Sequence, residues 1–178
     1  MENKKWLNIE ELLEKYPNYQ LYYLGITEVD PSKIIGLSRS LKEIANDAEM
    51  ASLKKNVKRY GWKDPAPEGL LLIQFPDFTY SVCNGGNHRA YFANQLHLKR
   101  IPAHVDVLIP ETSFSPDCAL EFKKLTRQVE VLMEKFRELL GVPYNEQKQQ
   151  LIDESNALDE KIQSLLKTEA MRLKLIDE

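Results

Sequence analysis

The sequence is poor in cysteine and has no long hydrophobic run. Cys83 and Cys118 are the only cysteines among 178 residues, and two thiols at unrelated positions, without an export signal, favour a reducing cytosol over a disulfide framework. No stretch approaches the roughly 20 apolar residues that a membrane span requires, and residues 1–6 lack the apolar core of a signal peptide. We therefore expect a cytoplasmic protein with no membrane partner.

Several well-known site patterns are also missing. The chain has neither the Gly-x-Ser-x-Gly elbow of serine hydrolases nor the lysine-bearing phosphate loop of P-loop NTPases. We take the three histidines to be without close acidic or thiol neighbours, so no metal site is predicted. A net charge of −3 argues against a generic binder of polyanions. Nucleic acid is thus a possible but not a favoured partner.

Charge and helix-breaking residues divide unevenly along the chain. Residues 1–116 carry fourteen acidic and fourteen basic side chains and eight of the nine prolines, whereas residues 117–178 carry thirteen acidic and ten basic ones. Gly141 and Pro143 are the only breakers of the second part. The shift predicts a boundary near residues 110–116. We divide the chain into a helical lead-in, a compact domain and a helical arm, at 1–20, 21–112 and 113–178.

The first part alternates strand-like and helix-like segments. Apolar, β-branched and aromatic runs bounded by turn residues predict four strands. Helices are predicted to begin at Asn8, at Ser40 or Asp47, and near Arg89. The strands are expected at 21–26, 70–75, 79–83 and 103–109. This order of segments predicts a small α+β domain with a mixed sheet.

After Pro116 the apolar residues recur at alternating steps of three and four, which is typical of a coiled-coil or hairpin helix. The first series is Phe122, Leu125, Val129, Leu132, Phe136 and Leu139, and the second is Leu151, Leu158, Ile162, Leu165 and Leu173. The two helices are predicted to fold back as an antiparallel hairpin or to pair between subunits. Residues 117–176 would then form a homodimer or bind a partner protein.

The most distinctive segment is Asn84-Gly85-Gly86-Asn87-His88-Arg89, which lies between a predicted strand and a predicted helix. Paired glycines just before a helix let backbone N–H groups face outward, where the helix dipole favours an anion. His88 and Arg89 would place two cationic or hydrogen-bonding side chains at the same spot. The segment therefore predicts a nucleotide-phosphate loop. A structural turn with a solvated arginine is the alternative.

Residues 81–96, followed by Ile-Pro-Ala-His-Val at 101–105, resemble the signature of the ParB/sulfiredoxin superfamily. That signature is a Gly-x-x-Arg or Gly-x-His-Arg loop, a helix rich in small and aromatic residues, and an Ile-Pro-Ala-x-Val strand. The similarity extends over about residues 21–109. It implies a compact α+β domain that binds a nucleotide, ATP or CTP with Mg²⁺. The residues that the resemblance assigns to the nucleotide are Gly85, Gly86, Asn87, His88 and Arg89, together with Ser52, Asn56 and Arg39.

Two departures from the family pattern narrow the function. Sulfiredoxins carry a cysteine where this chain has Asn87, and an amide cannot form the covalent sulfur intermediates of sulfinic-acid repair. Cys83 lies four residues earlier, where a packed thiol is expected. Plasmid-partition ParB proteins continue into a helix-turn-helix domain, whereas this chain continues into a long acidic hairpin. Neither sulfinic-acid reduction nor centromere reading is therefore expected.

Three functions remain open from the sequence. The leading one is a nucleotide-binding protein that uses the Gly85–Arg89 loop, with nucleotide hydrolysis or phosphoryl transfer as the chemistry such a loop supports. Glu43, Asp47 and Glu49 lie in the expected neighbourhood, but no catalytic base is assigned. The second is a non-catalytic accessory protein, of phage or mobile-element type, that acts through its hairpin. The third is association with DNA. For Ser52 and Asn56, an exposed helix face is the alternative.

Overall fold

The computed structural model describes residues 5–177. The chain divides into two compact units, the first ending at Ile109 and the second beginning at Pro110. The first unit is an α+β domain, and the second is a pair of long helices. The change in prolines and charge near residues 110–116 therefore coincides with the division between the units.

The first unit is built on a six-stranded mixed sheet of order β1-β3-β5-β4-β6-β2. Parallel pairs join β1 to β3, β3 to β5 and β4 to β6, and an antiparallel pair joins β4 to β5. The predicted α+β class is thus confirmed. The strands are β1 (Leu7–Asn8), β2 (Tyr19–Val29), β3 (Ile34–Leu37), β4 (Leu71–Gln74), β5 (Tyr80–Val82) and β6 (Ile101–Pro110).

The segment 1–20 does not stand apart as a helical lead-in. Its described part contributes β1, which pairs in register with Gly36 and Leu37 of β3, and a helix that packs into the core. β3 is not among the four predicted strands. Gly36 is needed there, because a Cβ at this position would lie 2.3 Å from the Ser81 hydroxyl oxygen on β5. Close approach of two parallel strands explains this glycine.

Four helices of the first unit begin close to the predicted positions: α1 (Ile9–Leu13), α2 (Leu41–Asn46), α3 (Ala48–Tyr60) and α4 (Asn87–Gln95). Both proposed caps are used. Ser40 forms a capping box with Glu43 at the start of α2, and Asp47 accepts a hydrogen bond from the Glu49 backbone N–H at the start of α3. Gly61, in the left-handed region with φ 75°, ends α3. Asn8 caps α1 through the Glu10 backbone N–H.

The second unit is an antiparallel hairpin of α5 (Pro116–Glu138) and α6 (Glu146–Arg172). Its core joins the two predicted apolar series within one chain, with Leu125 and Leu132 packed against Leu151 and Leu158. Phe136, another member of the series, remains 37% exposed. Within residues 5–177, no helix has both the length and the apolar character needed to cross a bilayer.

The open end of the hairpin is closed by polar contacts. The Glu169 carboxylate on α6 accepts hydrogen bonds from the Ser115 backbone N–H at 2.6 Å and from the Arg172 guanidinium at 2.6 Å. Arg172 also donates to the Ser113 carbonyl oxygen. The Arg172 hydrogen bond is the first reason that the pKa of Glu169 is lowered despite burial. These contacts hold the start of α5 against the end of α6.

Candidate functional site

The glycine loop joins β5 to α4, as predicted. Gly86 has φ 91° and is the residue just before the helix. A Cβ on Gly86 would lie 2.7 Å from the Leu70 Cα atom, and one on Gly85 would lie 2.9 Å from the Gly69 carbonyl oxygen. Both glycines are therefore required by close packing against the segment 67–70 as well as by the turn. The structural alternative accounts for them without a ligand.

The start of α4 nevertheless differs from the other helix starts. Among residues 5–177, the five other α-helices each have a side-chain cap, from Asn8, Ser40, Asp47, Ser115 and Asn145. Gly86 has no side chain, and no side-chain cap is present at α4. The first backbone N–H groups of a helix have no intrahelical acceptor and carry the positive end of the dipole. The start of α4 thus retains donors suited to an anion.

The Asn87 side chain is buried and forms hydrogen bonds within the protein. Its side-chain oxygen accepts the Ser38 backbone N–H at 3.0 Å, and its amide nitrogen donates to the Ser38 hydroxyl at 2.9 Å and to the Asn84 carbonyl at 3.3 Å. Only 3% of the residue is exposed. The Asn87 side chain therefore fastens the glycine loop to the segment after β3 and does not face a ligand. Its position in the motif suggested a phosphate contact that the side chain does not offer here.

Arg89 turns toward the loop between α3 and β4. Its Nη1 atom donates to Asp64 Oδ1 at 2.5 Å and to the Ala66 carbonyl at 2.6 Å. The Asp64 side chain is 3% exposed and its second oxygen is buried without a hydrogen-bond partner. Gly69 makes room for the guanidinium, since a Cβ there would lie 2.7 Å from Arg89 Nη2. The Arg89 bonds that involve described residues all use Nη1, so Nε and Nη2 keep their donors.

His88 instead faces the start of α3. Its Nε2 atom lies 3.3 Å from Asp47 Oδ2, and its Nδ1 atom lies 3.3 Å from Glu49 Oε2. Arg39 also reaches Asp47, with Nη1 3.2 Å from Oδ2. The pKa of Asp47 is lowered, first by the Glu49 backbone N–H and then, against the opposing effect of burial, by Arg39 and His88. His88 and Arg89 therefore point to different neighbours and do not converge on one spot.

Of the three carboxylates considered from the sequence, two reach the loop. Asp47 and Glu49 flank His88, whereas Glu43 is engaged with Ser40, whose hydrogen bonds lower the pKa of the Glu43 carboxyl. Ser52 and Asn56 are exposed on α3. They follow Glu49 by three and seven residues, so the three side chains share one face of the helix. Ser52 and Asn56 therefore extend along α3 from Glu49 on an exposed helix face, as the alternative interpretation expects.

Two histidines have acidic neighbours that the sequence patterns did not predict. The expectation that the histidines have none is wrong for His88 and also for His104, whose Nε2 lies 3.3 Å from Asp106 Oδ1. His104 and Asp106 are two apart on β6, and the alternation of a strand places them on one face, a signal that was available. Burial is the main reason that the pKa of Asp106 is raised.

Asp64 and Ser38, which hold Arg89 and Asn87, were also missed. No local pattern marks them, because each lies at least 25 residues from its partner. The thiols show no sign of activation. Burial is the first reason that the pKa of Cys83 is raised, and burial raises the pKa of Cys118 to about 11.

Comparison of the chain with protein-family models, with curated proteins and with solved structures finds no match.

Proposed function

We propose that the first unit is a nucleotide-binding module of the ParB/sulfiredoxin type, with the phosphates at the start of α4. The observation that carries the proposal is the uncapped helix start behind a strand and a glycine turn. Such a start offers several N–H donors and a favourable dipole to a phosphate. The resemblance of residues 81–96 and 101–105 to the family signature supports the same position.

Basic side chains border this position on two sides. Arg39 and His88 lie on the side of α3, and Arg89 lies on the side of the segment 64–69 with its Nε and Nη2 donors still available. A guanidinium held by a carboxylate through one nitrogen can still bind a phosphate through its remaining N–H groups. Ser52 and Asn56 are exposed on α3 and could contact the nucleoside.

A nucleotide would bring Mg²⁺ with its phosphates, and the nearby donors include the carboxylates of Asp47 and Glu49. Oxygen ligands of this kind fit Mg²⁺. When bound, the ion would offset the negative charges of the phosphates and carboxylates. The protein groups themselves would bind and orient the phosphate chain. Hydrolysis or phosphoryl transfer is the chemistry that such a site would support, on ATP or CTP, and no residue is assigned as catalytic base.

Titration calorimetry with ATP, CTP and GTP in the presence of Mg²⁺ tests this proposal. We expect micromolar binding of at least one nucleotide by the unmodified chain and a loss of binding in Arg89→Ala. Because Arg89 also pairs with buried Asp64, a second variant is needed: Arg39→Ala changes an exposed side chain and should weaken binding with the fold intact. Arg100→Ala is the matched control, because it changes an exposed arginine that is not one of the residues assigned to the nucleotide. Absence of heat with all three nucleotides would refute the proposal.

A second function, binding of a partner through the hairpin, is favoured by apolar side chains that the hairpin core leaves outside. Seven such side chains in the described part of the hairpin are at least 37% exposed: Leu120, Val131, Met133, Phe136, Leu140, Val142 and Tyr144. The partner-binding hypothesis also assigns Phe122, Val129 and Leu158 of the two apolar series to such a contact, if they are not buried within the chain. Leu158 is buried in the hairpin core, Val129 packs against that core, and Phe122 packs edge-on against Phe114. Light scattering on the full chain, compared with Met133→Glu, tests self-association through this surface.

A further inference from the structure

The first turns of α3 and α4 bring together a set of potential metal ligands. Asp47, Glu49 and His88 each offer one ligand atom, and these atoms lie within 4.8 Å of one another. Asp47 and Glu49 are the residue before α3 and its second residue, and His88 is the second residue of α4. Because all three belong to helix starts, their backbone positions are fixed by the packing of two helices.

The contact between His88 and Asp47 has the geometry of two ligands that share an ion. His88 Nε2 is buried, has no hydrogen-bond partner among residues 5–177, and lies 3.3 Å from Asp47 Oδ2. Metal–ligand bonds of about 2.1 Å put neighbouring ligands roughly 3.0 to 3.4 Å apart. An unsatisfied buried nitrogen is costly unless something binds it. An ion bound to Asp47 Oδ2 at this position would give His88 Nε2 the partner that it lacks.

Glu49 is suited to complete the set. Its carboxylate lies 3.3 Å from His88 Nδ1, and its side chain is 77% exposed and so able to move. From this position it can orient the imidazole, as carboxylates behind metal-bound histidines do, or turn to the ion itself. Arg39 opposes a cation here, because it donates to the same oxygen, Asp47 Oδ2. Its side chain is 44% exposed and can withdraw into solvent.

We propose that Asp47, Glu49 and His88 form a binding site for a first-row transition-metal dication, such as Mn²⁺ or Zn²⁺. One imidazole and two carboxylates suit these ions, whereas Mg²⁺ prefers an all-oxygen set. The site needs no nucleotide. It therefore goes beyond the function proposed above, although a metal ion here would lie beside the start of α4.

The test is titration of the full chain with Mn²⁺ or Zn²⁺ alone, by calorimetry and, for Mn²⁺, by loss of the free-ion electron paramagnetic resonance signal. We expect one ion per chain and no comparable binding of Mg²⁺. Asp47→Asn keeps a good helix cap but removes the charge, and both it and His88→Ala should abolish the binding. Glu49→Gln should weaken it about tenfold, and Arg39→Ala should strengthen it because a competing cation is removed.

His97→Asn is the matched control. His97 has φ 52°, a conformation that asparagine tolerates, and it lies outside the cluster, so metal binding should not change. Circular dichroism confirms that each variant is folded. The inference is overturned if no transition metal binds, or if binding survives in both Asp47→Asn and His88→Ala. If the chain binds Mn²⁺ but no nucleotide, the metal site is supported and the nucleotide-binding function is refuted. If it binds a nucleotide but no transition metal, the nucleotide-binding function is supported and the metal site is refuted.

Discussion

Each unit buries a carboxylate against an arginine: Asp64 with Arg89 in the first unit, and Glu169 with Arg172 in the hairpin. The two carboxylate side chains are almost equally buried, at 3% and 4% exposed. Glu169 has partners on both oxygens, from the Ser115 backbone and hydroxyl and from Arg172. Asp64 has hydrogen-bond partners on one oxygen only. We call the Glu169–Arg172 pair the complete latch, because both carboxylate oxygens have partners. We call the Asp64–Arg89 pair the incomplete latch, because one carboxylate oxygen has none in the described part of the chain.

The same contrast extends to the other buried polar atoms. Four such side-chain atoms in the described part of the chain lack a hydrogen-bond partner, and all four belong to the first unit. Three of them border α4: His88 Nε2 is on the helix, Asp64 contacts Arg89, and Trp62 packs near Phe92. Unsatisfied buried groups are uncommon and concentrate where a protein does more than fold. Among the described residues, such atoms therefore concentrate around α4 and not in the hairpin core.

The largest effect is expected from the complete latch. Glu169→Ala removes the acceptor for Ser115 and Arg172, and we expect a loss of about 3 kcal/mol in the free energy of unfolding, because the half-buried Ser115 N–H and the Arg172 guanidinium would both lose their partner. Urea denaturation measures it. The exposed Glu160→Gln on α6 is the control and should be close to neutral. A change as small as that of the control would show that the latch does not stabilise the hairpin.

The pH dependence of this latch follows from the lowered pKa of Glu169. A carboxyl whose pKa is lower in the folded state contributes stability that is present above its unfolded pKa, about 4.3. That contribution is lost as the pH falls through the lower folded value. The stability difference between the unmodified chain and Glu169→Ala should therefore be constant near neutrality and shrink in acid.

A pair of glycines sharpens the comparison between the units. Gly86 and Gly141 have nearly equal positive φ angles, 91° and 85°, but a Cβ would meet Leu70 at the first and nothing within 4 Å at the second. We expect Gly141→Ala to cost about 1 kcal/mol for the backbone conformation alone and Gly86→Ala to cost about 3 kcal/mol, since overlap with Leu70 is added. Thermal and urea unfolding measure both. Equal losses would mean that the segment 67–70 can move away from the loop.

Local signals predicted much of the fold. The helix caps at Ser40 and Asp47, the stop at Gly61 and the apolar series of the hairpin all depend on residues within a few positions of one another. β1 and β3 are absent from the four predicted strands because both are short and are stabilised by their pairing in a parallel sheet. Their pairing partner is set by tertiary contacts that no local pattern encodes.

The sequence predicted where the candidate site lies along the chain, but not the direction in which its side chains point. The strand, glycine turn and helix of residues 80–95 follow local rules, so the location of α4 and its open start were accessible from the sequence. The direction of each side chain depended on distant residues: Ser38 for Asn87, Asp64 for Arg89, and Asp47 for His88. These partners come from loops and helix starts that only the folded sheet brings together. As a result, the side chains of His88 and Arg89, which are adjacent in sequence, point to different neighbours.

The smallest effect is expected from the incomplete latch. Asp64→Asn keeps an oxygen that can accept the hydrogen bond from Arg89, but this acceptor is no longer charged. The substitution also replaces Oδ2, which has no hydrogen-bond partner in the described part of the chain. We expect a loss of about 1 kcal/mol in urea denaturation, because the ion pair becomes a hydrogen bond from the charged guanidinium to a neutral acceptor. The exposed Glu68→Gln in the same loop is the control. A loss as large as that of Glu169→Ala would show that the Asp64–Arg89 pair is a structural latch after all. Arg89 would then be committed to the fold, and its assignment to a phosphate would lose its support.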